Sequence, residues 1–549
     1  MGPSTQCLVC GSTILAELEG SDIADDSSVL ASESSVISDT RREFLLNTNE
    51  LPLDIECPSV QSTISRLRRR LSHHDKSISR LRAQLTQLEE ERVSIATDLS
   101  RNMGIISPLR RMPPEIILEI FGWTLPSEQE TVKHSTINAT MQDSPWSLGR
   151  ICSRWRTVAL ASQCLWSFIG IDCNVLVEPY PLAVLDMQLQ RATSLRIHFA
   201  APTSLQRVHP VDYRIALLKR LVECSPRWVE AGLILTPPLV PILVSLRDRI
   251  PQLRTLWLDS VDDSLNPPAE INCFQVAPAL RSASILLGGR LFSVPLPSHQ
   301  LTHYQALNTW ERHLGVLRAA TNLVEARIFV HISDHSPRAV GSSGPIEFRA
   351  LRLLFISDAE TLDFFTAPAL EDLGLFRAAV SSISQVDLHC IDSLVRRSSC
   401  VLRRYSTYGV TPSVLKTMLQ CKWAQAVARL TVVTDEADAL VASLSDRDAA
   451  GTFTLVPNLQ SLFVGTREKS DIDYQLCYDM LRSRRSAPER ALEFASLAVS
   501  VTGPSPVLGR QFDELRKEGL NLQVTTGTEA RELLEEWFLK VFPYRTDDL

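Results

Sequence analysis

The sequence predicts an α/β chain in three structured parts: an N-terminal heptad helix, a small three-helix unit, and an irregular solenoid with parallel strands. Three observations carry this. Apolar residues recur at alternating spacings of four and three from Val60 to Leu99, short apolar helices led by prolines fall between residues 110 and 168, and a six-residue apolar pattern recurs between residues 228 and 497. At 549 residues, 44% hydrophobic and 22% charged, the chain is long enough to bury substantial cores. A formal net charge of −7 argues against a bulk preference for nucleic acid, and no such partner is expected.

Residues 1–56 are rich in Ser, Asp and Glu without a sustained period, the composition of a disordered tail. Cys7 and Cys10 in this tail are half of a zinc-site pattern. No second pair follows at matching spacing, and Cys57, His73 and His74 sit on other elements, so no metal is expected. The other ten of the twelve cysteines are scattered singly. With no signal-peptide pattern ahead of them, reduced thiols in cytosol or nucleus are expected. The most apolar run, "GLILTPPLVPILVSL" (232–246), is interrupted by Pro237, Pro238 and Pro241 and is too short to cross a bilayer, so no membrane partner is expected.

The heptad segment, 57–103, has its seam at Val60, Ile64, Leu67, Leu71, His74, Ile78, Leu81, Leu85, Leu88, Arg92, Ile95 and Leu99. Only His74 and Arg92 break the apolar line, and residues 60–99 contain neither Gly nor Pro. A 3.5-residue period sustained over more than five heptads predicts a coiled coil, with homodimerisation through residues 60–99 as its functional form. The alternative is an amphipathic helix folding back on its own domain. The basic cluster "RLRRR" (66–70) is balanced by Glu89, Glu90 and Glu91 on the same helix and reads as a solvated face. Gly104 and Pro108 are expected to end the helix.

In "RRMPPEIILEIFGWTLP" (110–126), Pro113 and Pro114 occupy a first helical turn, where a missing N–H costs nothing. Ile116, Ile117, Ile120 and Phe121 follow at helical spacing, and Pro126 closes the element. After a polar insert, 127–144, Ser144 and Pro145 restart a helix as N-cap and first residue. Leu148, Ile151, Cys152, Trp155, Val158 and Ala159 then form one apolar stripe, and a last short helix carries Leu165, Trp166 and Phe168. A unit this small has more apolar surface than it can hide alone. The surplus is covered either by its own chain or by another protein.

The order of residues chooses between these. Met112-Pro113-Pro114-Glu115-Ile116-Ile117-Leu118-Glu119-Ile120-Phe121, then Leu148-x-x-Ile151-Cys152-x-Arg154-Trp155-Arg156, then Leu165-Trp166, resembles the F-box across residues 107–168. The form is similar to that of the large F-box families of mushroom-forming fungi, in which a heptad helix often precedes the box. Met112 stands where the family carries leucine, and the insert is longer than a minimal F-box loop. The resemblance implies binding to the small linker subunit of SCF-type cullin-RING ubiquitin ligases. Leu109, Met112, Pro113, Ile116, Ile120, Leu148, Ile151 and Trp155 would lie on or beside that interface, with Val158 and Trp166 as internal packing.

From 170 to 549 the signal is repetition. The pattern Leu-x-x-Leu-x-Leu recurs as "LRTLWL" (253–258), "LRSASI" (280–285), "LVEARI" (323–328), "LRLLFI" (351–356), "LEDLGL" (370–375), "VARLTV" (427–432), "LQSLFV" (459–464) and "LEFASL" (492–497). Weaker copies are "WVEAGL" (228–233), "LTHYQA" (301–306) and "LRRYST" (402–407). Each reads as a short strand, and segments such as "PILVSLRDRI" and "GVLRAAT" read as helix. Units that cannot bury their own faces must stack, which predicts an irregular, right-handed, leucine-rich-repeat-like solenoid. The asparagine conventional in such repeats is mostly missing. The alternative is an ordinary α/β domain whose strands share leucine spacing.

No G-x-S-x-G, Walker loop, G-x-G-x-x-G or H-E-x-x-H motif is present. No catalytic residue and no cofactor are expected. The sequence reads as a non-catalytic adaptor, whose F-box-like unit holds the ligase linker while the repeats recruit an unidentified target protein for ubiquitination. The alternative is a ligase-independent scaffold built on the solenoid.

Overall fold

The computed structural model describes residues 37–125, 144–173, 180–200, 210–260, 270–287, 293–331, 344–376, 385–409, 411–434, 436–466, 472–486, 492–499 and 503–541. They fall into two compact units, one ending at Met112 and the other beginning at Pro113.

The first unit opens with a helix, Asp39–Asn47, where the composition predicts only a disordered tail. Local interactions explain the difference. The Ser38 hydroxyl accepts from the Arg41 amide as an N-cap, and the Arg41 guanidinium reaches Glu50 and Glu56, each at 3.2 Å. The Leu53 amide and Arg41 together hold the Glu56 carboxyl below its usual range. Cys7 and Cys10 lie outside the described residues.

A single helix then runs for 49 residues, Cys57–Ile105. It passes through Gly104, because one glycine costs a helix only about 1 kcal/mol. It ends near Pro108, which restricts the residue before it. All ten apolar seam residues are exposed, from 37% at Val60 to 68% at Ile95.

The second unit is built on one sheet of fourteen parallel strands whose spatial order is their chain order. They are β1 (Phe168–Asp172), β2 (Leu195–Ala200), β3 (Trp228–Leu235), β4 (Thr255–Ser260), β5 (Ser282–Leu287), β6 (His303–Asn308), β7 (Glu325–Val330), β9 (Leu353–Ile356), β11 (Asp372–Phe376), β12 (Arg404–Tyr408), β13 (Arg429–Val433), β14 (Ser461–Gly465), β15 (Phe494–Val499) and β16 (Asn521–Thr526). Strands β8 (Ile346–Glu347) and β10 (Phe365–Thr366) form a separate parallel pair. A parallel sheet in strict sequential order is the solenoid-like stacking expected of repeats.

All eleven copies of the leucine pattern carry a strand. In the eight stronger copies, and in the weaker copies at 301 and 402, it starts at the third residue of the motif. The first residue sits inside the preceding turn instead: Leu253, Leu280, Leu323, Leu351 and Leu492 are buried there. The second residue continues the ladder, as when the Arg281 amide donates to the Arg254 carbonyl at 2.8 Å. Strands β1, β2 and β16 lie outside the recurring pattern.

The connectors are mixed. "GVLRA" of "GVLRAAT" ends a helix, Trp310–Ala319, but "PILVSLRDRI" does not form the expected α-helix. Residues Pro237–Leu246 are 3₁₀, since Pro241 inside the segment cannot donate to an α-helical ladder. One face of the sheet packs on these connectors through Leu256, Tyr304, Ala326, Leu354, Tyr405 and Leu462, all buried. Tyr304 Oη meets His313 Nδ1 of the following helix at 3.0 Å, which fixes this as the helix-covered face.

Candidate functional site

Two surfaces stand out, one on the short helices and one on the sheet. The proline-led helix is Pro114–Gly122, with Pro113 as its N-cap residue. Ile117 and Phe121 are fully buried, and the Phe121 ring meets the Trp155 ring edge-on at 4.9 Å. The neighbouring helical stripe runs Pro113, Ile116, Ile120 and Trp123, at spacings of three and four residues that put them on one side of the helix. It points outward: Pro113 is exposed, Ile116 is 50% and Trp123 is 78% exposed, and Ile120 is half-buried.

The second expected helix is two. Leu148–Ile151 and Ser153–Ala161 are separated at Cys152, whose backbone is extended and whose Sγ accepts from the Trp155 amide at 3.4 Å. Residues 148–159 therefore do not make one continuous stripe. Leu148, at 6% exposure, belongs to the core, whereas Ile151 is 59% exposed. Trp155 and Val158 are half-buried. The last helix is a 3₁₀ turn, Gln163–Trp166, and Phe168 leaves it to begin β1.

Part of the apolar surplus is covered by the chain itself. Trp166 is buried, its indole donates to the Ala159 carbonyl at 2.9 Å, and Arg191 stacks over it at 4.6 Å. Trp146 packs edge-on at 4.8 Å, and the Gln188 amide donates to the Phe168 carbonyl at 2.7 Å. These contacts join the short helices to the sheet. The uncovered part is the stripe on the proline-led helix together with Ile151 and Leu160.

Of the eight residues expected at an interface, Leu109, Pro113, Ile116 and Ile151 are exposed, Met112, Ile120 and Trp155 are half-buried, and Leu148 is buried. Leu109 and Met112 belong to the first unit. The most exposed aromatic of this segment, Trp123, was not among them. Its spacing of three from Ile120 was the available signal.

The second surface is the sheet face opposite the connectors. Register divides it into rows across the strands. The row at the strand starts is charged: Arg196 pairs with Glu230 at 2.9 Å and Arg404 with Asp372 at 3.0 Å. Burial pushes the Asp372 carboxyl up to about 6, an effect larger than the opposing pull of Arg404 and Arg327.

The middle row runs His198, Gly232, Trp257, Ser284, Gln305, Arg327 and Phe355. His198 stacks on Trp257 across the glycine strand, with ring centroids 5.8 Å apart, because a Cβ at Gly232 would lie 3.0 Å from the imidazole. Burial lowers the imidazole to about 4, so it is neutral at physiological pH. At the strand ends, Ile234, Leu286, Phe329 and Phe376 form a buried apolar cluster with Trp257 and Phe355.

Along the middle row a series of buried polar atoms has no hydrogen-bond partner within the described structure. They are both ring nitrogens of His198, Trp257 Nε1, Ser284 Oγ, Gln305 Nε2 and Arg327 Nε. Folded proteins leave few such atoms unpaired, so a run of them in one row is a chemical feature of this face.

Elsewhere, burial pushes the Cys173, Cys273 and Cys477 thiols up to about 12, the opposite of nucleophile activation. Among the described residues no group of His, Cys, Asp and Glu is placed to hold a metal ion. Among them too, no helix is long and apolar enough to cross a membrane. No protein-family model and no curated protein matches this chain.

Proposed function

We propose that this protein is a substrate-recruiting adaptor of an SCF-type cullin-RING ubiquitin ligase. The short-helix unit docks on the linker subunit, the sheet face opposite the connectors receives a target protein, and the long helix pairs with a second copy through residues 60–99. The adaptor performs no chemistry. It raises the effective concentration of target lysines near a ubiquitin-charged enzyme held by other subunits, in the cytosol or nucleus.

One observation carries the reading. In a unit whose inward residues Ile117, Phe121, Leu148, Leu165 and Trp166 are all buried, the stripe Pro113, Ile116, Ile120 and Trp123 with Ile151 stays uncovered. Large apolar side chains clustered in the open are the residues that dominate protein interfaces. On the sheet, the row of charged residues at the strand starts, with Arg404 and Glu325 partly exposed, supports target recognition there.

The test is co-purification of the full chain with the ligase linker subunit, comparing native protein with the double variant Ile116→Glu/Ile151→Glu. Loss of the linker with an unchanged melting temperature supports the adaptor. Failure of the folded native chain to retrieve any linker refutes it and leaves a scaffold whose sheet alone binds partners.

A further inference from the structure

The long helix carries more information than its seam. With Val60 and Ile64 as d and a of the heptad, the flanking e positions are Gln61, Arg68, Asp75, Arg82, Glu89 and Ala96, and the g positions are Thr63, Arg70, Ser77, Gln84, Glu91 and Asp98. These flanking residues set the orientation and register of helix pairs. Here Arg68 and Arg70 lie toward the start and Glu89, Glu91 and Asp98 toward the end, with Asp75 and Arg82 between them.

We infer that the long helix pairs with a second copy of this chain in antiparallel orientation, Val60 of each lying across from Leu99 of the other. The inference rests on the homodimer reading above and adds its direction. In an antiparallel pair, e faces e and g faces g. Full overlap then sets Arg68 against Glu89 of the second copy, Arg70 against Glu91, and Asp75 against Arg82, each pair formed twice, with no like charges opposed. Sliding one helix by a heptad in either direction places Arg82 against Arg82 or against Arg68, and sets Asp75 against Glu89 or against Asp75. One register is therefore selected.

The parallel arrangement fares worse. There g faces the following e, and Arg70 against Asp75 is the one attractive pair, again formed twice. The seam adds to the difference. A parallel dimer stacks Arg92 on Arg92 and His74 on His74, whereas the antiparallel one sets Arg92 against Leu67 and His74 against Leu85. Arginine opposite leucine can lay its methylenes along the seam and lift its charge into water. All ten apolar seam residues are exposed in the single chain and available for this pairing. At 1.5 Å per residue, the 49-residue helix is about 74 Å long, so the two C-terminal ends leave the pair at opposite ends of a rod.

Sedimentation equilibrium of the full chain tests this with charge reversals on exposed positions. Native protein is expected to be a dimer. The variant Glu89→Arg/Glu91→Arg opposes Arg68 and Arg70 of the second copy and should raise the dimer dissociation constant at least about 10-fold. An equimolar mixture with Arg68→Glu/Arg70→Glu should restore tight pairing. In a parallel dimer Glu89 faces Gln84 and Glu91 faces Ala96, so a dimer indifferent to the first variant overturns the antiparallel assignment while leaving self-association standing. A monomeric native chain, with its helix intact by circular dichroism, overturns both.

Discussion

Replacing Gly374 with alanine should disturb the sheet far beyond the usual cost of a methyl group. Gly374 on β11 is in register with Phe355 on β9, and the phenyl ring lies across the glycine. An alanine Cβ would sit 2.0 Å from both Cδ1 and Cε1 of that ring and 2.8 Å from Cγ. Ordinary carbon contacts are about 3.5–4.0 Å, so the ring must move by about 1.5 Å or leave its rotamer. It has little room, being buried within the cluster with Phe329 and Phe376 and faced by Arg327 at 5.9 Å. Overpacking of this kind costs about 1–3 kcal/mol, and more if the ring is expelled. Phe355→Ala alone should cost about 3–5 kcal/mol. Together the two should cost no more than Phe355→Ala, because the new methyl enters space the ring has left, giving a coupling energy of about 1–3 kcal/mol. Urea denaturation of the four proteins supplies the cycle. A Gly374→Ala variant within about 0.5 kcal/mol of native, or strictly additive costs, would refute this account of the packing.

Phe121→Ala, which removes a fully buried ring and its contact with Trp155, should cost about 3–5 kcal/mol, whereas Ile116→Glu should change stability by less than about 1 kcal/mol; thermal denaturation compares them. Arg484 donates to the carbonyls of Leu444, Leu455 and Val456 at 2.8–3.0 Å, so Arg484→Met should cost about 2–4 kcal/mol by stranding buried acceptors, read from the urea midpoint. Two buried groups on the sheet face opposite the connectors should give opposite pH dependences. Asp372, raised to about 6, contributes stability that is complete below its unfolded value near 4 and lost as pH rises through 6, so native protein should lose about 2 kcal/mol relative to Asp372→Asn over that interval. His198, lowered to about 4, contributes stability complete above about 6.5 and lost as pH falls through 4, so native protein should weaken relative to His198→Asn on acidification. Urea midpoints measured from pH 4 to 7 check both, and flat differences would contradict them.

The recurring leucine pattern was a reliable guide to the strands because burial of its first residue and alternation of the next four are imposed within a single repeat. Leu253 and Leu280 turn inward whatever the neighbouring repeats contain. The same local logic placed the long helix, where dense helix formers and an unbroken period suffice. Local reasoning failed where a single group outvoted the pattern. An ion pair through Arg41 ordered Asp39–Asn47, Pro241 turned a helix into 3₁₀, and an extended Cys152 split one expected helix in two. The split matters for the candidate interface, since it ends the expected stripe at Cys152, with Ile151 exposed before the break and Ala159 buried beyond it.

By itself the sequence determined which residues are turned inward within each leucine-pattern repeat, because side-chain periodicity is a property of the local backbone. It also holds the sign order of charges along the long helix, which needs no fold to be read. Only the tertiary structure decided which apolar residues remain uncovered once Trp166 and Arg191 join the short helices to the sheet. Only it aligned His198, Trp257, Ser284, Gln305 and Arg327 in one row. Those residues are spread over 130 positions of sequence, and their neighbourhood comes from the stacking of strands, a long-range register that no single repeat encodes.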